Sequence, residues 1–483
     1  MNKDKVQLLI LIFLICIIII IYITQFKGDD YKMDLQESKS ILKKNINPII
    51  VDGHNDTMMK VIDNKTWLPK VNIGRSTDNH IDILKLKKGG LNVPFFAAFT
   101  HGYYENTTKS ISRTLATINA LYWTEKNNPD TFKITTSIKD ILAATKDNKI
   151  AAVPTIEGAY SLDKYNGIEL LNQYYDLGIR VLSLTWNYSN ELGEGANRIY
   201  GDPLKTESKG GLTNLGRQVI QEMNKIGMVL DVSHLAESTF WDVISTTDAP
   251  IIASHSGVYA LKEHPRNLND KQLFALKENG GVVAVVLCSE FLTNNEQAYI
   301  SDFVDHIDYI VKLIGVDHVG IGSDFDGSRI PIDLKDSSQI YKITQELLRR
   351  EYGEKDIEKI LGKNLLRVLE QVENRKKPRK INHNIEIIPE YKMGQIIKNR
   401  TPILKSRIKG EISDIDVEKS RIVLDGIPYR LDYDYELSTV YYKVKKPLEE
   451  RFHVVSFEIY NNTGMVKKDT IIFYIQDKNN SAE

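Results

Sequence analysis

Five short segments place a histidine, aspartate or glutamate directly behind an apolar, strand-like run. They are Asp52-Gly53-His54-Asn55-Asp56, Glu157-Gly158, Asp231-Val232-Ser233-His234, Ser254-His255-Ser256 and Gly322-Ser323-Asp324-Phe325-Asp326-Gly327. Imidazole nitrogen and carboxylate oxygen are donors that a borderline cation such as Zn²⁺ takes readily. His54 and Asp56 stand two apart, so in an extended segment their side chains project the same way and can grip one ion. His234 and His255 follow neighbouring runs and can grip a second, and Glu157, with two oxygens, can bridge the pair. Two ions about 3.5–4 Å apart would lower the pKa of a shared water and polarise a scissile carbonyl. Asp324, a carboxylate in the same kind of position, is suited to moving protons.

A single HxD pair or an isolated histidine is common by chance. His80, His101, His264, His306, His318, His383 and His453 are therefore read as structural or surface residues. What separates His54, Glu157, His234 and His255 is their shared placement. Asp52 and Asp231 precede proposed ligands and either orient them or sit at the edge of the core.

Such convergence requires a scaffold that brings strand ends to one face. Apolar, β-rich runs occur at Ile49–Asp52, Leu91–Phe99, Ile150–Ile156, Arg180–Thr185, Met228–Val232, Pro250–Ala253, Gly281–Leu287 and His318–Ile321. Segments with helical spacing lie between most of them, such as Asn214–Ile226 with Leu215, Val219, Ile220 and Met223. Near-continuous apolar strands alternating with helices indicate a covered parallel sheet. The eightfold rhythm favours an α/β, TIM-type (β/α)₈ barrel over a doubly wound open sheet, with the site at the C-terminal ends of its strands.

The rest of the chain is organised around this unit. Lys3 and Lys5 precede an unbroken apolar stretch from Leu8 to Ile23, and no small-x-small cleavage site follows. Residues 1–28 read as an N-terminal transmembrane helix and anchor, inserted through residues 8–24, with a cleaved signal peptide as the competitor. Residues 29–47 are a polar linker, 48–373 the barrel, and 374–384 a basic connector. Residues 385–483 are a small β-rich accessory domain, with a hairpin expected at Asp425-Gly426 and another around Asn461–Val466. Of 483 residues, 42% are hydrophobic and 26% charged, and the formal net charge of −1 gives no footing for nucleic acid. Cys16 and Cys288 are the two cysteines, so the folded part holds no internal disulfide.

At Asp52–Asp56, Glu157-Gly158, Asp231–His234, Ser254–Ser256, Arg266-Asn267 and Gly322–Gly327, the chain resembles the membrane (renal) dipeptidase family of the metal-dependent amidohydrolase group. Gly362–Val368 is similar to the family's closing helix, and the likeness spans about residues 48 to 372. It implies two Zn²⁺ in a bridged site, one held by His54, Asp56 and Glu157 and the other by Glu157, His234 and His255. It further implies attack by a metal-bridging hydroxide, proton transfer through Asp324, and capture of a substrate carboxylate by Arg266, for which a guanidinium fork is suited. Two places depart from the family. Leu184-Thr185-Trp186-Asn187 stands where relatives often carry a histidine, leaving Trp186 and Asn187 to meet the substrate, with Asn187 a candidate oxyanion donor. Glu157-Gly158-Ala159-Tyr160 stands where they often have Glu-Gly-Gly-His.

The expected function is a membrane-anchored zinc dipeptidase outside the cytoplasm, acting on small peptides with a free C-terminal carboxylate. A homodimer is compatible with this reading. Two alternatives remain open. One is a dinuclear hydrolase of another amide or ester, such as an N-acyl amino acid; the other is an inactive barrel whose β domain binds a wall or partner.

Overall fold

Runs that are apolar at nearly every position need cover on both faces of a sheet. The computed structural model, which describes residues 48–104, 108–196, 210–410 and 412–476, provides it with helices outside and facing strands inside. The strands are β1 (Ile50–Asn55), β2 (Leu91–Phe99), β3 (Phe132–Ile134), β4 (Ile150–Glu157), β5 (Val181–Ser183), β6 (Val229–Asp231), β7 (Ile252–Ser256), β8 (Val282–Val286) and β9 (Val319–Gly322). They run in the order β1-β2-β4-β5-β6-β7-β8-β9, every neighbouring pair parallel, with β3 added outside β4. Past the strand ends the ring closes. Asp324 donates its N–H to the His54 carbonyl (3.0 Å), and Asp56 donates to that of Phe325 (2.9 Å). This is the TIM-type barrel, and each of the eight expected runs forms one of its strands; β3 is the additional one.

Local chemistry explains the elements. The helix Asn214–Ile226 begins where the Thr213 hydroxyl accepts from the Gly216 N–H. It ends at left-handed Gly227, and its buried face is Val219, Ile220, Met223 and Ile226. Burying each such side chain is worth about 1.5–3 kcal/mol. The helix Asn364–Arg375 places Leu365, Val368, Leu369 and Val372 in one apolar cluster with Val51, Val93, Val153, Val181 and Val282, filling the N-terminal end of the barrel. At the other end the strands crowd together. A Cβ on Gly322 would stand 1.9 Å from the Ser254 carbonyl oxygen, so only glycine lets β9 come this close to β7.

Beyond the barrel the period changes to two. One sheet orders Ile385–Pro389, Ile403–Gly410, Thr439–Lys443 and Asp432–Asp434. The other orders Gln395–Ile397, Val466–Ile475, Phe452–Tyr460, Arg421–Leu424 and Ile427–Arg430. The hairpin at Asp425-Gly426 turns with both residues at positive φ (51° and 79°). The strand Phe452–Tyr460 is buried on both sides: Val455, Phe457 and Ile459 join the core between the two sheets, while Phe452 and Val454 join that of the barrel. Gln173, on the helix Gly167–Asp176, seals the seam. Its amide nitrogen donates to the Val423 carbonyl and the Ser456 hydroxyl (3.0 Å each), and its oxygen accepts from the Gly426 N–H (2.7 Å). Arg379, in the basic connector, is tied to Asp176 (3.0 Å) and Asn172 (2.8 Å).

Among the described residues no helix is long and apolar enough to cross a membrane. The expected anchor and linker, residues 1–47, lie outside the described residues.

Candidate active site

The strand ends deliver the expected side chains to one place. His54 lies within β1 and Asp56 just beyond it, Glu157 ends β4, His234 follows β6, His255 lies in β7 and Asp324 follows β9. All six are buried except for the partly covered Asp324. His234 Nε2 lies 2.7 Å from Glu157 Oε1 and 2.7 Å from His255 Nε2, and His255 Nε2 lies 3.5 Å from the same oxygen. His54 Nε2 lies 3.4 Å from Glu157 Oε2 and 3.6 Å from Asp56 Oδ2. Two ligand groups result, His54 with Glu157 and His255, and His54 with Asp56 and Asp324, each with its donor atoms within 4.8 Å of one another. His54 thus belongs to both, a grouping different from the two sets that the family resemblance implies.

This geometry is held by strain and by neighbours. His234, Asp324 and Asp326 all take left-handed backbone conformations (φ 70°, 57° and 67°), which cost free energy for residues with a Cβ and cluster where a site must be held open. The Asp326 carboxylate accepts from the N–H groups of His80 (2.6 Å) and Ile81 and from the Thr57 hydroxyl (2.7 Å), fixing the loop that carries Asp324. Asp52 accepts from Ser323, and Asp231 accepts from the Ser254 hydroxyl (2.6 Å), which itself contacts His255 Nδ1 at 2.8 Å. Both aspartates therefore brace ligand strands, and Asp231 orients an imidazole. Asn187 Oδ1 meets His234 Nδ1 at 2.8 Å, turning Nε2 toward Glu157.

Electrostatically the cluster is incomplete without positive charge. Burial works against the Glu157 carboxylate, yet the surrounding imidazoles of His54, His234 and His255 hold its carboxyl well below the usual range. Burial likewise opposes a proton on His54, but Glu157 and Asp56 push that imidazole well above its ordinary value: the field draws a cation to this point. Burial, then the charges of Asp56 and Glu157, raise the Asp324 carboxyl well above the carboxylate range. His54 Nε2, Asp56 Oδ1 and Glu157 Oε2 are buried with no hydrogen-bond partner. Such orphans are costly unless a ligand satisfies them. Three orphaned donors of nitrogen and oxygen type, aimed together, fit divalent metal ions.

Arg266 is 2% exposed. Its Nη2 donates to the His255 carbonyl (3.0 Å), while its Nε has no partner. The guanidinium borders a cavity of about 620 Å³ that His234 and Ser256 also line. Trp186, which follows β5, is half-buried, with ring centroids 5.9 Å from His234, 5.3 Å from Phe99 and 4.7 Å from His101.

Two histidines set aside at the level of sequence stand at this site. His101 follows β2 and joins the aromatic wall; the strand-end criterion that found the other residues would have found it too. His80 carries no such signal, because the contact to Asp326 spans 246 positions of chain.

A model of the family described as membrane dipeptidase (peptidase family M19) matches residues 35–382. An uncharacterized dipeptidase of Schizosaccharomyces pombe is 33% identical over 362 residues, covering 71% of this chain and 86% of its own length. Dipeptidase 3 of Rattus norvegicus is 33% identical over 328 residues, covering 67% of this chain and 65% of its own. Among solved structures, dipeptidase AC, an M19 metallopeptidase, is similar at a TM-score of 0.60 and 28% identity, covering 68% of this chain and 99% of that one. A metallopeptidase from Rhodobacter sphaeroides, liganded with a phosphinate mimic of the dipeptide L-Ala-D-Ala, is similar at 0.59 and 27%, covering 67% and 99%.

Proposed function

Since the chain belongs to the membrane dipeptidase family, peptidase family M19, and is a metal-dependent dipeptidase by that membership, we propose that it is a zinc enzyme for dipeptides with a free C-terminal carboxylate. We further propose that residues 8–24 anchor it in a membrane with the barrel outside the cytoplasm. The observation that carries the substrate reading is the unpartnered Nε of buried Arg266, beside the orphaned donors of His54, Asp56 and Glu157.

His54, Asp56 and Glu157 would hold one ion and Glu157, His234 and His255 the other. When bound, such a pair polarises a scissile carbonyl and makes water nucleophilic near neutral pH. The protein's own groups do the rest. Arg266 receives the terminal carboxylate, a charge-assisted contact that fixes which peptide bond lies over the metal ligands. Asp324, whose carboxyl burial and neighbouring charges keep protonatable, takes a proton from the attacking water and returns it to the departing amine. Asn187 holds His234 through its amide oxygen, which leaves its amide NH2 to act as the oxyanion donor. Trp186, beside His234, walls the site and excludes water from the first residue of the peptide.

The test is metal analysis of the full-length chain together with hydrolysis of L-L, L-D and C-terminally amidated dipeptides, with His234→Ala as control. About two zinc ions per chain, activity on free-acid peptides and none on amides are expected. A chain that binds no metal would overturn the proposal.

A further inference from the structure

The cavity beside Arg266 is chemically polarised along its length. At its inner end are buried Arg266, His234 and Ser256. Buried apolar groups, Phe240 and Leu268, line the same space. The outer rim carries two exposed carboxylates, Glu237 and Glu263. The bonds these acids make are to neutral donors. Glu263 Oε1 accepts from the Tyr259 hydroxyl (2.7 Å), and Glu237 Oε1 accepts from Trp241 Nε1 (3.3 Å) and Asn269 Nδ2 (3.2 Å). Among the described residues lining the cavity, Arg266 is the only lysine or arginine, so neither rim carboxylate has a cationic partner in its wall.

Fixed positive charge at the inner end, an apolar stem and negative charge at the rim complement one kind of amino acid. We propose that this cavity is the subsite for the C-terminal residue of the substrate and that it selects residues with a cationic side chain, such as lysine, arginine or another diamino acid. The α-carboxylate sits on Arg266, the methylenes run along Phe240 and Leu268, and the side-chain cation meets Glu237 and Glu263 at the rim. This rests on the dipeptidase reading and extends it from the backbone of the substrate to its side chain. An uncharged residue of the same length fills the same apolar path without gaining the rim contacts, so charge alone separates the two. Because the acids are exposed, the discrimination is modest and screened by salt.

The experiment compares Ala-Lys with Ala-norleucine, in both the L-L and L-D series, on the full-length, metal-loaded chain. At low ionic strength kcat/KM is expected to favour Ala-Lys about fivefold or more in the series that is cleaved, and added salt shrinks the ratio. The E237Q/E263Q double variant brings the ratio near one, the loss falling on Ala-Lys, and E263K inverts it. E278Q, an exposed acid outside the cavity, leaves the ratio in place. Equal cleavage of the two peptides by the unaltered chain, or a ratio that survives the double variant, overturns the subsite while leaving the dipeptidase reading intact. If neither peptide is cleaved although other dipeptides are, the subsite is likewise overturned. If no dipeptide of any kind is cleaved, the underlying reading falls and the subsite with it.

Discussion

The two ends of the barrel each hold an arginine beside a cavity, of about 500 Å³ at the N-terminal end and about 620 Å³ at the C-terminal end. Arg180, at the N-terminal end, donates from Nε to the Thr136 carbonyl (2.7 Å) and from Nη1 to those of Tyr175 and Ile179 (2.8 Å each). Its guanidinium also lies 3.9 Å from the Tyr175 ring centroid. Nearby, Glu373 accepts from the Ile138 N–H (2.9 Å). At the opposite end Arg266 keeps an unpartnered Nε, and His54, Asp56 and Glu157 each hold an orphaned atom. Burial and charge are thus common to both arginines, and what differs is satisfaction. A network that closes on itself braces the fold, whereas one left open is complementary to something else. Two aspartates repeat the contrast. Asp324 is pushed up by burial and by the acids beside it, while Asp425 in the β sheets, equally desolvated, is held well below the usual range by Arg451 and His453.

The contrast breaks most sharply at Glu157. Glu157→Gln keeps the shape but weakens the carboxylate bridge, and kcat/KM should fall at least about a thousandfold with loss of bound metal, read by metal analysis and dipeptide assay. Removing metal with a chelator should abolish activity in the unaltered chain, and returning Zn²⁺ should restore it. Arg266→Met should cost about a hundredfold in kcat/KM on free-acid dipeptides, roughly 2–3 kcal/mol for a lost charge-assisted contact, with Arg266→Lys recovering part of it. Equal losses on all substrates would show that Arg266 braces the site instead of reading the carboxylate.

The satisfied regions should answer in stability and not in chemistry. For Asp425 the sign follows from its depressed pKa. Its stabilising contribution is present above the unfolded value near 4 and is lost as pH falls below it. Denaturant titrations of Asp425→Asn should therefore show a loss of about 2–3 kcal/mol at pH 7 that narrows toward pH 2. Arg180→Met should cost about 1–3 kcal/mol and lower Tm by several degrees, with kcat/KM per folded molecule unchanged. A fall in kcat/KM there would mean that the two ends are coupled.

Much of this was legible in one dimension. Continuous apolar runs specify strands that need two covered faces. Thr213 and Gly227 bound one helix, and Asp425-Gly426 turns one hairpin, because these depend on neighbours in sequence. The metal donors were legible for a related reason: a parallel barrel collects whatever follows its strands, so His54, Asp56, Glu157, His234, His255 and Asp324 could be chosen by position alone. The same rule would have admitted His101, which a low expectation for isolated histidines set aside.

Other features were decided only by the packed chain. That His54 stands within reach of both donor groups is a matter of barrel closure, to which Gly322 lying against Ser254 contributes. That Asn187 turns His234, that His80 clamps Asp326 and that Gln173 seals the β sheets to the barrel are contacts between segments whose separation carries no periodic signal. The polarity of the cavity beside Arg266 belongs to the same class, since Glu237 and Glu263 follow different strands and face one space only once β6 and β7 are paired. Sequence determined which side chains stand at the strand ends, because local pattern sets strand and helix. Tertiary structure decided which of their atoms remain unsatisfied, because that depends on what every other segment brings within hydrogen-bonding distance.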